Sequence, residues 1–180
     1  MTITKQQISK WIDDESRRVD PTRARDDHDR NLILRILREP NLTGKLTAVR
    51  LEHLVWNLAW AMAFAPKEDP WAAEAAKAAP KFLAFHFAET TTYPDALSMF
   101  WEVVIGPLSR GDAAFHDAVF RGLCSQLKVK NSWVQASALH GFGHLRDPRC
   151  RPVIREFLKV STDDAKLAAY AREAMAFKIL

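Results

Sequence analysis

The stretch Asn131–Leu158, reading NSWVQASALHGFGHLRDPRCRPVIREFL, limits the possible folds more than any other part of the chain. Asn131 or Ser132 can accept the free N–H groups of a helix start. At 3.6 residues per turn, Val134, Ala138, Gly141, Phe142 and Leu145 share one face. Ala136, Leu139 and Gly143 fall on a second face, and Trp133, His140 and His144 on a third. Only a strip around Gln135 is left for water, so neighbours must cover this helix on several sides. Gly143 costs about 1 kcal/mol relative to Ala inside a helix. Close approach of a neighbouring backbone is the expected compensation. Asp147-Pro148 is expected to end this helix and start the next, because proline disfavours helical backbone at the residue before it. Pro152 then falls near the second helix's first turn, where its missing N–H costs little. Cys150, Val153, Ile154, Phe157 and Leu158 give that second helix one apolar stripe.

The residues Ala138-Leu139, Gly143-x-Leu145-x-Asp147-Pro148-Arg149, Pro152, Ile154 and Leu158 resemble the HEAT-like helical repeat in its short, phycobilisome-lyase form. The likeness covers one repeat of about 28 residues. It departs from the repeat at Arg151 and Arg155, where apolar residues are usual. The resemblance implies an all-α, irregular α-α superhelix of HEAT-like helical hairpins.

The rest of the chain reads in the same terms. Helices are expected over Thr4–Arg18, Arg25–Glu39 and Thr43–Phe64. The third is apolar around more than half its circumference and is expected to be central. Asp69 caps the next helix with Pro70 at its first position, and Pro80 is expected to interrupt or restart it. Tyr93-Pro94-Asp95 opens a helix that Gly106-Pro107 stops. Ala113–Leu127 follows, then the opening pair, then a last helix from Asp163 or Asp164 with Leu167, Tyr170, Ala171 and Ala174 facing inward. Helix pairs recur at roughly 35 to 40 residues, the period of such arrays. One domain over residues 1–180 is expected, with 1–40 as N-terminal helices and the densely charged Asp13–Arg30 as either a solvated helix and linker or a mobile N-terminal arm.

Composition supports this class. Hydrophobic residues at 48% and charged residues at 27% suit a packed core rather than a disordered chain. The net charge is +4, but between Arg121 and Arg155 seven cations face Asp147 alone, a local balance of +6. Such a region can steer an acidic protein or a nucleic acid, or it can be a set of solvated helix ends. Cys124 and Cys150 are read as buried free thiols, not as a disulfide framework. The segment MTITKQQISKWIDDESRR lacks a signal-peptide core, and the apolar run near Trp56–Ala65 is too short to span a bilayer. A cytoplasmic protein is expected.

Few residues carry chemistry. His140 and His144 have the i, i+4 spacing of two metal ligands. The intervening Glu of HExxH is missing, and the sequence does not specify a further ligand among His116, Asp117 and Cys150. Both histidines are therefore read as structural, with no metal or cofactor assigned. Glu52-His53 and Trp101-Glu102 place carboxylates inside apolar helices, where they need a partner. A raised pKa would make such a group an acid or base, but no second catalytic group is marked. Phosphate-cradling, nucleophile-elbow and CxxC motifs are absent from the sequence.

The expected function is a non-enzymatic protein-binding surface, the common use of helical-repeat scaffolds. Ser137-Ala138-Leu139-His140-Gly141-Phe142-Gly143-His144 resembles a SALHGxGH-type motif of small bacterial helical proteins, as does Met99-Phe100-Trp101-Glu102. Some of those proteins are regarded as immunity partners of secreted toxins. The resemblance implies a cytoplasmic inhibitor that covers a toxin's active face, with Trp101, Glu102, His140, His144, Arg149 and Arg151 as binding residues. A basic inhibitor suits an acidic partner surface. The alternatives are a nucleic-acid binder or enzyme of the HEAT-like DNA glycosylase type, and a chaperone or bilin-lyase-like adaptor. Against the glycosylase reading, Trp56, Trp60, Trp101 and Trp133 lie in apolar stripes that suit a core better than base stacking.

Overall fold

The computed structural model describes residues 4–15, 26–66, 69–88, 95–106, 113–160 and 164–179. Among these residues there are nine α-helices and no strand. They are α1 (Lys5–Glu15), α2 (Asp27–Arg38), α3 (Ala48–Ala63), α4 (Pro70–Phe87), α5 (Asp95–Ile105), α6 (Ala113–Gln126), α7 (Ser132–Leu145), α8 (Cys150–Val160) and α9 (Ala165–Met175). The sequence also predicts a break at Asp20-Pro21-Thr22; this position, Tyr93-Pro94, Pro107 and Asp163 lie outside the described residues.

Side-chain caps fix most of the described starts. Asp26, Thr47, Asp69, Asn131 and Asp164 each accept an N–H from the first turn of α2, α3, α4, α7 and α9. The helix expected from Thr43 begins later, because Pro40–Thr43 closes into a short 3-10 turn and Thr47 supplies the cap.

The heaviest packing joins helices two places apart (α2 with α4, α3 with α5, α4 with α6, α5 with α7, α7 with α9), whereas α8 lies against α9. The series α1, α3, α5, α7, α9 forms one layer, and α2, α4, α6 stack as the other. This is a superhelix-like arrangement of helices. The core runs through both layers, with Ile36 from α2, Leu58 from α3, Phe82 from α4, Trp101 from α5 and Phe142 from α7 all fully buried. The N-terminal helices belong to it: Ile8, Trp11 and Ile12 of α1 are buried, and the Trp11 indole N–H donates to Asp29 of α2 over 2.8 Å.

Three local expectations are corrected by packing. Pro80 does not interrupt α4, which is one helix with the proline inside it. A proline at 80 cannot bond the Ala76 carbonyl four residues back. That carbonyl faces Gly122 of α6, 2.8 Å from where a glycine Cβ would stand. The close backbone approach expected at Gly143 therefore occurs at Gly122. A Cβ on Gly143 would instead meet the Ile179 side chain at 2.8 Å. Finally, α7 is not ended by Asp147-Pro148 but one residue sooner, by Arg146 in the left-handed conformation (φ 52°, ψ 25°).

Candidate functional site

Helices α5 and α7 meet at Gly141. A Cβ there would stand 2.8 Å from the Trp101 Cβ and 2.5 Å from the Leu123 Cδ2, so only glycine permits this spacing. Polar bonds lock the same contact. The Trp101 indole N–H donates to Gln126 Oε1 over 2.7 Å, and the Gln126 amide donates to the Val134 carbonyl over 3.0 Å. The Ser137 hydroxyl donates to the Leu97 carbonyl over 2.7 Å. Trp101 is wholly buried. Its place among the surface binding residues is thus corrected: an indole this large reaches full burial against a glycine and a buried amide.

Glu102, the next residue of α5, lies at the edge of this contact and meets the histidine stripe of α7. Its Oε2 is 3.0 Å from His140 Nε2 and 3.5 Å from His144 Nε2. The two imidazoles lie against each other, with centroids 4.6 Å apart. His140 Nδ1 is held by the Tyr170 hydroxyl of α9 at 2.6 Å. The cluster joins α5, α7 and α9, three successive helices of one layer. Glu102 keeps 34% side-chain exposure and His144 24%, against 9% for His140, so the cluster opens to solvent on the Glu102 side.

Its electrostatics follow from this placement. Burial lowers the His144 pKa, the neighbouring His140 and Arg146 lower it further, and Glu102 opposes them. Among the described residues, His144 Nε2 is buried and has no hydrogen-bond partner. Burial pushes the Tyr170 phenol up to about 12, with Glu173 and Glu102 adding to the shift. Glu102, His140 and His144 each offer one ligand atom, and these atoms all lie within 4.8 Å of one another.

The two arginines singled out from sequence lie elsewhere and differ in role. Arg149 braces the turn before α8. It donates to Asp147 Oδ2 from Nε and Nη2 over 2.9 and 2.7 Å, and to Asp117 over 2.8 Å, and it covers the Phe120 ring at 4.2 Å. Its guanidinium holds the Asp147 carboxyl, 7% exposed, below the usual carboxylate range. Arg151 is exposed on α8 and stacks over Phe177 at 4.9 Å. His116 and Asp117 belong to this Arg149–Asp147 group, not to the histidine pair. Glu52 is half-buried and His53 exposed on α3.

Sequence reasoning missed Tyr170 and Gln126 as partners of the site. Tyr170 was placed on an inward stripe, and an inward tyrosine needs a partner for its hydroxyl, which is the signal that points to it. Gln126 carried none beyond its place near the end of α6.

A second feature is a groove of about 840 Å³ between the end of α6 and α8. Leu127, Val153, Phe157 and Val160 supply apolar walls, and Lys128 and Lys130 stand at its edge. Val160 is 82% exposed, and both lysines are exposed. Neither lysine has a carboxylate within ion-pair distance among the described residues.

Fold and sites together define an all-helical protein of stacked, superhelix-like construction. No family model, curated protein or solved structure matches the chain.

Proposed function

We propose that the chain is a non-enzymatic protein-binding module of HEAT-like construction whose partner presents an acidic surface. The observation that carries this reading is the groove between α6 and α8. Exposed Val160, beside the buried Leu127 and Phe157, offers an apolar anchor point. Lys128 and Lys130, unpaired among the described residues, favour carboxylates beside it, while the groove's own Glu156 is taken up by Lys159. Arg151 and Arg155 extend the positive charge along the exposed side of α8. Arg149 contributes by holding the turn, since its guanidinium is occupied by Asp147 and Asp117. In its most specific form this is a cytoplasmic immunity-type protein that covers a toxin, a reading that rests on the Ser137–His144 and Met99–Glu102 resemblances.

The test is co-expression with the product of the neighbouring gene, followed by calorimetry of the purified pair. Lys128→Glu with Lys130→Glu should weaken binding by about 10-fold or more, as expected for reversing rim charges beside an apolar anchor. Undiminished binding by this variant and by Val160→Asp would reject the groove. The nucleic-acid reading is checked in parallel. A gel shift that weakens steeply between low and moderate salt would replace the protein-binding reading.

A further inference from the structure

We propose that Glu102, His140 and His144 bind a divalent first-row transition metal, zinc being the best fit, with Tyr170 orienting His140. This site is separate from the groove, and the inference does not depend on the groove's partner.

The donor set is two imidazole nitrogens and one carboxylate oxygen. Zinc accepts this combination in sites that leave a position for water, whereas calcium takes six to eight oxygens. Two of the three donor separations also suit zinc, and the two imidazole nitrogens lie within 4.8 Å of each other. Bonds of about 2.0–2.1 Å in a tetrahedral arrangement place ligand atoms about 3.3 Å apart. The two carboxylate-to-imidazole separations, 3.0 and 3.5 Å, bracket that value. The histidines come from one helix face and the carboxylate from the neighbouring helix, so the backbone already holds the three donors together.

Two further observations point to a ligand. A ligating histidine ordinarily has its other ring nitrogen hydrogen-bonded, which fixes the ring and the tautomer. Tyr170 does this for His140 Nδ1 and leaves Nε2 directed at the cluster. Among the described residues His144 Nε2 is buried without a hydrogen-bond partner, an uncommon condition for a buried nitrogen, and its nearest anionic neighbour is Glu102 Oε2 at 3.5 Å. A cation between it and Glu102 supplies the missing partner. The partial exposure of Glu102 and His144 gives the ion an entry path and water as a further ligand.

A metal here ties α5 to α7, so binding raises the stability of the folded chain. The experiment uses the full chain, stripped with chelator and dialysed. Zinc is titrated by calorimetry and by competition with a chromophoric chelator, with cobalt(II) absorption as a coordination readout. One equivalent should bind, with a rise in Tm and the visible bands of a tetrahedral cobalt centre. His144→Ala and the near-isosteric Glu102→Gln should each abolish tight binding. Tyr170→Phe should weaken it by about 10-fold or more. The exposed His28→Ala serves as control and should change nothing. The proposal is overturned by the absence of saturable zinc binding, or by binding that survives in both His144→Ala and Glu102→Gln.

Discussion

Trp101 and Gln126 allow the packing argument to be tested quantitatively. Replacing Trp101 with Phe removes the one donor to Gln126 Oε1 found among the described residues, at a position where both residues are 0% exposed. Leaving a buried acceptor unpaired costs about 1–3 kcal/mol. The smaller ring adds a cavity cost of about 1 kcal/mol, at about 24 cal/mol per Å³ for the missing portion of the indole. The expected loss is therefore about 2–4 kcal/mol. At the unfolding entropy usual for a 180-residue domain, 3 kcal/mol corresponds to about 8 °C in Tm. Gln126→Leu should cost a similar amount, because it strands the indole N–H instead. The double variant Trp101→Phe with Gln126→Leu strands no side-chain polar group, avoids both penalties and should lose at least about 2 kcal/mol less than the two single losses added together. Urea unfolding of the four proteins closes the cycle. A coupling below about 0.5 kcal/mol would mean that the indole–amide bond does not anchor α5 to α7.

Other changes probe the same framework. Gly141→Ala gains about 1 kcal/mol of helix propensity but forces the Trp101 Cβ and Leu123 apart, a strain of about 1–3 kcal/mol. It should lower Tm and shift the His140 ring resonances as Glu102 is pushed away. His86 tests pH dependence. It lies against Phe82 and Phe85, and burial lowers its pKa to about 4. Between its ordinary value of about 6.5 and about 4, the unfolded chain takes up the proton and the folded chain does not. Stability should be complete above about pH 6.5 and fall as the pH drops toward 4. The His86→Gln variant should show a shallower decline in urea titrations. Burial likewise pushes the Cys150 thiol up to about 12 and raises Cys124 as well. A thiol reagent at neutral pH should leave Cys150 untouched until denaturant is added, and rapid labelling of the folded protein at Cys150 would contradict its burial.

Much of the local structure was legible in the sequence because its causes are local. Asp69 before Pro70, and Asn131 before the first apolar residue of α7, announce helix starts through short-range hydrogen bonds. The several-sided apolar pattern of Val134–Leu145 announces a helix enclosed by neighbours, and nine of its fourteen residues are buried. The failures have equally specific causes. Pro80 reads as a break, yet α4 continues because packing on α6 outweighs one lost bond and Gly122 leaves room for the freed carbonyl. Arg146 gives no sign of a left-handed helix end, since that conformation belongs mostly to glycine and asparagine.

The sequence by itself determined that the chain is all-helical, which faces are apolar, and that His140 and His144 share one side of a helix. Only the tertiary structure decided what that side meets. Glu102 is 38 positions before His140, and Tyr170 is 30 after it. Helical periodicity carries no information over such separations. The meeting depends on how closely α5 and α7 approach, and that distance is set where Trp101 lies against the bare backbone of Gly141.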